Sequence, residues 1–210
     1  MQYVYECAIL LHMVLAAATA KGVATRGAII DSAIGLVRKQ GLESLSIGGL
    51  AHVAAMSKSG VFAHFGSRED LQLAVLDAVA EDFSQKVLQP AFRQPRGVKR
   101  LRAILAGWMD WTHDAGCPMI AAVIEYDDRP GTIRDRVVHW QRRLREALAR
   151  AAQLAIETGE LRADTDPAQF AFEMFGIVLV LHHDTRLFGG TDAIVRATHA
   201  FDRLIAGCAA

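Results

Sequence analysis

Hydrophobic positions recur along most of the chain at the three- and four-residue spacing of helices buried on one side, and hardly any stretch alternates as a strand would. From Thr25 to Gln40 the apolar residues Ile29, Ala33, Leu36 and Val37 trace one face of an amphipathic helix, which Gly41 stops. Ser46 stands where it would cap a second helix, with Ile47, Leu50 and Val53 inward and Ala51 small enough to let another helix cross closely. Ala54-Ala55-Met56 reads as a tight turn. Ser57 caps a third helix that begins with Lys58, Ser59 and Gly60 and turns Val61 and Phe65 inward. Ser67, with Asp70 in the reciprocal capping position, opens a fourth helix whose stripe is Leu71, Ala74, Val75, Ala78, Val79 and Phe83, and this connector runs to about residue 89.

The same period continues beyond Pro90 with no repeat or low-complexity linker. Val98, Leu101, Leu105, Trp108 and Thr112 predict a helix ending near Gly116, where Pro118 enforces the stop, and a short helix over Met119 to Tyr126 follows. A turn at 127–131 leads into a long helix from Thr132, with Val137, Trp140, Leu144, Leu148 and Ala155 inward and Gly159 closing it. Asp166-Pro167 starts a helix reading FAFEMFGIVLVLHH, apolar on nearly every side and therefore in need of cover all round. A last helix from about Asp192 to Ala206 offers Ile194, Val195, Thr198, Phe201, Leu204 and Ile205. The fold class is all-α.

Two short helices across a tight turn, the second starting with small polar residues, make SIGGLAHVAAMSKSGVFAHF a helix-turn-helix, a shape that lays one helix in the DNA major groove. The longer wording TRGAIIDSAIGLVRKQGLESLSIGGLAHVAAMSKSGVFAHFGSREDL closely resembles the DNA-binding domain of the TetR (tetracycline-repressor) family, over about Thr25 to Phe83. The resemblance implies a helix-turn-helix DNA-binding domain over residues 23–83 and a helical effector-binding and dimerisation domain over 90–210. It places Ser46, Ser57, Lys58, Ser59 and Gly60 at or near the groove, with Lys58 reaching guanine acceptors or a phosphate and Gly60 admitting close backbone approach. His64 and Arg68 fall at the family's phosphate-contacting positions, and Thr25 and Arg26 at the first helix terminus offer the same chemistry. Phe62 stands where a tyrosine is usual, so one phenolic hydroxyl is missing. Ala55 stands where glycine is usual, and a positive φ there would cost on the order of 1 kcal/mol. Gly48 and Gly49 lower helix propensity.

The resemblance further implies a homodimer through the last two helices, a roughly palindromic double-stranded DNA operator and a small-molecule effector. The effector pocket would draw on Trp108, Trp111, Met119, Tyr126, Trp140, Phe172 and Phe175 as apolar walls, with His113, Glu125 and His182 as polar contacts. The function expected is a sequence-specific repressor released by its effector. The alternatives are a sequence-independent architectural DNA binder, which would hold any duplex equally, and a packed trio of helices that binds nothing.

Formal charge sharpens this picture only when divided along the chain. Lys21 to Arg68 carries six basic residues against Asp31 and Glu43, an excess of four, and since the whole chain is neutral the remainder carries four net negative charges. Positive potential therefore gathers at the proposed DNA end. Eighteen arginines against five lysines, with no asparagine, fit a high-GC bacterial source. Cys7, Cys117 and Cys208 are odd in number and far apart, which argues for reduced cytoplasmic thiols and against a disulfide framework. No metal site is expected: Gly116 and Pro118 break the His113/Cys117 spacing, and the adjacent His182 and His183 point apart on a helix. No cofactor or enzymatic activity is expected either, since GxSxG, HExxH, GxxxxGK[ST] and GxGxxG are all absent. Residues 1–22 form an apolar extension in which Cys7 to Ala20 is broken only by His12 and Thr19. No basic residue precedes that run, and fourteen residues fall short of a bilayer, so neither export nor a membrane anchor is expected. The natural start is expected downstream, at Met13 or Val23; a genuine segment is expected to pack as an extra helix.

Overall fold

The computed structural model describes residues 2–112, 116–189 and 192–210, with side chains from Lys21 onward. Ten α-helices hold most of the described residues: α1 (Gln2–Gln40), α2 (Ile47–Val53), α3 (Lys58–Phe65), α4 (Arg68–Phe83), α5 (Gln89–Phe92), α6 (Val98–Thr112), α7 (Pro118–Tyr126), α8 (Thr132–Glu157), α9 (Pro167–Leu187) and α10 (Asp192–Cys208). The expected break between an apolar extension and a first helix is absent, because α1 runs through both. No proline interrupts it, and the chain up to Lys21 is rich in Ala, Leu and Met, all good helix formers.

Capping fixes the helix-turn-helix locally. Ser46 Oγ accepts from Gly49 N at 3.1 Å, Ser57 Oγ from Gly60 N at 3.0 Å and Ser67 Oγ from Asp70 N at 2.9 Å, so all three serines cap as their positions predict. Asp70 departs from the reciprocal arrangement. Its carboxylate accepts from the Ser67 hydroxyl at 2.6 Å, because the Ser67 backbone N–H is already donated to Phe65 O at 2.8 Å. The turn after α2 closes with Met56 N donating to Ala51 O at 2.9 Å, which sets Ala55 at φ 52°. Alanine therefore occupies the left-handed position that glycine adopts without strain.

One continuous core joins these elements. Ile29, Ala33 and Val37 of α1 meet Leu50 and Ala51 of α2, Val61 and Phe65 of α3, and Leu71, Val75, Val79 and Phe83 of α4, all buried. Val53 does not join them: it is 51% exposed, because the buried face of the seven-residue α2 is used up by Leu50 and Ala51. A π-helical turn over Ser84–Leu88 links α4 to α5. Pro90 follows it, and proline cannot donate to the carbonyl four residues back, so the wider turn sits where the ordinary ladder fails. In the body of the protein, Trp108, Phe170 and Phe201 are the largest fully buried side chains, and Phe170 packs edge-on against Phe201 with centroids 6.3 Å apart. The α8, α9 and α10 boundaries fall close to those predicted, with α9 capped by Asp166 Oδ1 accepting from Ala168 N at 2.8 Å.

Ala55→Gly is expected to stabilise the fold by about 0.5 to 1 kcal/mol, the relief of left-handed strain exceeding the added entropy of the unfolded chain. Urea unfolding with an unchanged slope would register it.

Candidate nucleic-acid interface and effector cavity

The start of α3 is presented to solvent. Ser57, Lys58 and Ser59 are exposed, Phe62 is 55% exposed, and His64 is half-buried beside Phe65. Ser57 and Ser59 share a hydrogen bond of 3.1 Å, leaving Lys58 as the projecting charge, with no ion pair among the described residues. Its stem lies along α2. A Cβ built on Gly48 would come within 3.2 Å of Lys58 Cε, so this glycine, read from the sequence only as a lapse in helix propensity, makes room for the lysine. Gly60 has ordinary helical backbone, and its N–H is the one that Ser57 caps. Arg26 reaches back over the Phe65 ring at 4.8 Å, joining α1 to α3, while the Thr25 hydroxyl donates to Lys21 O at 2.8 Å.

Arg68 is placed differently from a free phosphate-contacting side chain. Its Nε donates to Leu45 O at 2.7 Å, its terminal nitrogen donates to Glu43 O, and it lies 3.2 Å from the Glu43 carboxylate. Glu43 is the hub of this seam. It also accepts from Tyr126 OH at 2.5 Å and pairs with Arg129 at 3.4 Å. The Tyr126 hydrogen bond, together with Arg68 and Arg129, holds the Glu43 carboxyl below the usual range, against a smaller opposing effect of burial. Burial first, and then Glu43, push Tyr126 up to about 12.

Glu125 and Tyr126, expected at the effector pocket, therefore belong to this seam. Glu125 Oε2 accepts from Glu43 N at 2.9 Å, and the Tyr126 hydroxyl accepts from Gln72 Nε2 at 3.0 Å. Gln72, 4% exposed, also donates to Leu42 O at 3.0 Å. Sequence reasoning missed it, although it shares the face of Val75, Leu76 and Val79 and is the polar exception there.

A cavity of about 360 Å³ lies in the body, walled by Val79, Ala80 and Phe83 of α4, Trp108 and Trp111 of α6, Met119 and Ile120 of α7, Trp140 and Leu144 of α8 and Phe175 of α9. Five predicted wall residues thus converge: Trp108, Trp111, Met119, Trp140 and Phe175. Phe172 does not. It is 60% exposed: it lies on the same side of α9 as Phe175, one turn earlier, where Arg145 covers both rings, at 5.7 Å and 4.2 Å, but it falls beyond the edge of the packed face and outside the cavity. His182 lines a separate recess with Arg38, Gly41 and Arg186, where its Nδ1 accepts from Cys117 N at 3.3 Å. Burial, then Arg186 and His183, lower its pKa and keep it neutral. His113 lies outside the described residues.

One cavity wall touches α1 and α4 directly. Trp111 donates from Nε1 to Asp82 Oδ2 at 2.7 Å, and its ring carries the Arg38 guanidinium of α1 at 4.6 Å. Arg38 also donates to the carbonyls of Trp111 and Gly116, both at 3.3 Å, and faces Asp82 at 3.7 Å. Burial raises the Asp82 pKa, but hydrogen bonds from Lys86 and Trp111 and the charges of Lys86 and Arg38 outweigh it, and the group stays ionised.

Tyr126→Phe is expected to cost about 1 to 3 kcal/mol at pH 7, since it leaves Gln72 and Glu43 short of a partner. Glu43 titrates lower in the folded chain than its unfolded value of 4.5, so its contribution is complete above that pH and fades as pH falls through the folded value. The stability gap between native protein and variant should therefore narrow in acid, as urea unfolding at pH 7 and pH 3.5 would measure.

Comparison with known proteins agrees with this geometry. Residues 29–75 match the family model for bacterial regulatory proteins of the tetR family, and residues 97–201 match that of the tetracyclin repressor-like C-terminal domain. The HTH-type transcriptional regulator SrpR of Pseudomonas putida is 25% identical over 145 residues, a match spanning 68% of this chain and 66%, just under two thirds, of that protein. A TetR transcriptional regulator from Chloroflexus aurantiacus superposes with TM-score 0.79 at 24% identity, covering 89% of this chain and 95% of that one. A TetR-family regulator from Cytophaga hutchinsonii gives 0.77 at 22%, covering 90% and 96%. AibR, solved with isovaleryl coenzyme A and operator DNA, gives 0.68 at 23%, covering 88% and 97%. With its helix-turn-helix and its helical body both matched, the chain belongs to the tetR family of bacterial regulatory proteins, DNA-binding regulators of transcription.

Proposed function

We propose that residues 23–83 bind one palindromic operator, that residues 90–210 bind a small-molecule effector and a second copy of the chain, and that the effector releases the repressor from DNA. The observation that carries the reading is the exposed α3 start, where Lys58, its stem seated on Gly48, projects beyond the serine caps. Lys58, Ser59 and the α3 amides would meet the groove, Phe62 would press an apolar face on it, and His64, Thr25 and Arg26 would flank the backbone. Ser46 and Ser57 act chiefly as caps. Arg68 acts by orienting the loop at Glu43 and reaches phosphate only by leaving it. The protein works by binding, with no catalytic step and no cofactor, where the chromosome lies, in the cytoplasm.

AibR, solved in complex with isovaleryl coenzyme A and operator DNA, supplies a precedent for one chain of this fold binding both a small molecule and an operator. In this chain the 360 Å³ cavity is the proposed effector site. A ligand that fits better when Trp111 or α7 has shifted would favour a state in which Arg38 and the Glu43 seam hold the helix-turn-helix differently, and linkage would then weaken operator affinity.

The dimer reading rests on α9. Phe172, Leu179, Val180 and Leu187 are all exposed and repeat along one side of the helix, and Val195 of α10 adds to the apolar surface. A second copy covering this face would space two α3 helices for successive major-groove faces. Among the described residues, no helix is long and apolar enough to cross a membrane.

Val180→Asp is expected to shift sedimentation from dimer to monomer and to reduce operator affinity with it. Fluorescence anisotropy with DNA flanking the protein's own gene, against unrelated duplex of equal length, tests the operator reading: the native protein should prefer the former strongly, and Lys58→Ala should weaken it by about tenfold or more. Equal affinity for both duplexes would favour the architectural alternative.

A further inference from the structure

The cavity holds a buried donor that the fold leaves with no better partner than a thiol. Trp108 is 1% exposed and lines the cavity, yet its Nε1–H has no oxygen or nitrogen partner among the described residues and turns to the Cys117 thiol, a weak acceptor in the same lining, without reaching normal hydrogen-bond geometry. The neighbouring indoles differ: Trp111 donates to Asp82 at 2.7 Å and Trp140 to Asp77 at 2.8 Å. Trp108 is clamped edge-on to Phe83 at 5.1 Å and tilted against Phe175 at 5.9 Å, so its N–H is held in place. An unpaired buried N–H is costly and becomes favourable once an acceptor arrives.

The rest of the lining narrows the ligand. Aromatic rings from Phe83, Phe92, Trp111, Trp140 and Phe175 share the wall with aliphatic side chains, Ser84 and Gln141 add uncharged polar groups at half-buried positions, and the Cys117 thiol, pushed up to about 11 by burial, brings no charge. The charged lining residues, Glu81 and Arg143, are exposed and of opposite sign. The geometry points to a neutral, ring-bearing apolar effector with one hydrogen-bond acceptor, a carbonyl or ether oxygen, that accepts from Trp108 Nε1. Trp108 is then a specificity-determining residue. This inference rests on the cavity being the effector site.

Two naphthalenes of the same shape separate the contributions: 2-acetylnaphthalene carries a carbonyl where 2-isopropenylnaphthalene carries a methylene. In equilibrium dialysis with the full-length protein, the ketone should bind about tenfold more tightly than the alkene, the scale of one satisfied buried donor. Trp108→Phe should bring the two within about twofold, and Ala147→Phe, which fills the cavity from α8, should weaken both alike. A ratio near one in the native protein, or a ratio unchanged in Trp108→Phe, overturns the inference while leaving the cavity as a binding site. The native ratio decides by itself if Trp108→Phe does not fold. Failure of both probes to bind would remove the cavity reading and the inference together.

Discussion

The stacking of Arg38 on Trp111 is the contact through which the two halves of the chain depend on each other. A guanidinium from α1 lies 4.6 Å from the ring centre, donates to the carbonyls of Trp111 and Gly116, and faces Asp82, which the same indole binds from its edge. Arg38 also brings positive charge to the C-terminal end of α6, where unsatisfied carbonyls and the helix dipole favour it. It is only partly exposed, so water screens these interactions less than it would a surface pair. Because Trp111 also walls the cavity, a change in the cavity reaches α1 across a single side chain.

A second connection runs through α7. Met119 and Ile120 near its start line the cavity, and Glu125 and Tyr126 at its end hold the loop at Glu43. Nine residues of helix span only about 13 Å, a short and stiff lever. At the far end the contacts are polar and specific: Gln72, Tyr126, Glu43, Arg68 and Arg129 form a chain of donors and acceptors in which each member orients the next. Thr132 at the start of α8 adds a bond to Glu69 of α4 at 2.8 Å. The helix-turn-helix is thus held against the body by oriented polar contacts in addition to the apolar packing of α4, whose Phe83 meets Trp108 and Trp111.

The orientation of α3 itself is set within about twenty residues. Serine caps start α2, α3 and α4, Val61 and Phe65 anchor α3 from beneath, and the strained Ala55 turn fixes the angle between α2 and α3. The strain is local and small beside the burial of those two side chains, so the usual geometry survives a residue ill suited to it.

The helices, their caps and the stripe that faces inward were readable from the chain because capping and periodicity act over three or four residues, and these residues state both clearly. The same holds for Val61 and Phe65 and for the Ala55 turn, whereas the convergence of Trp108, Trp111, Met119, Trp140 and Phe175 from four helices is a matter of tertiary packing. Which polar residue serves which neighbour was not readable. Arg68 and Tyr126 look equally ready for phosphate or effector until the loop at Glu43 is folded against them, 25 and 83 residues away in sequence. Phe172 and Phe175 are both aromatic residues on one apolar helix, and only the packing of α8 against α9 sends one to the cavity and the other to the surface. Gly48 and Gln72 look like lapses in their helices until Lys58 and Tyr126 are brought alongside. Short-range sterics and hydrogen bonding settle the elements, whereas the partners of a buried donor or a charge depend on long-range contacts that exist only once the chain has closed on itself.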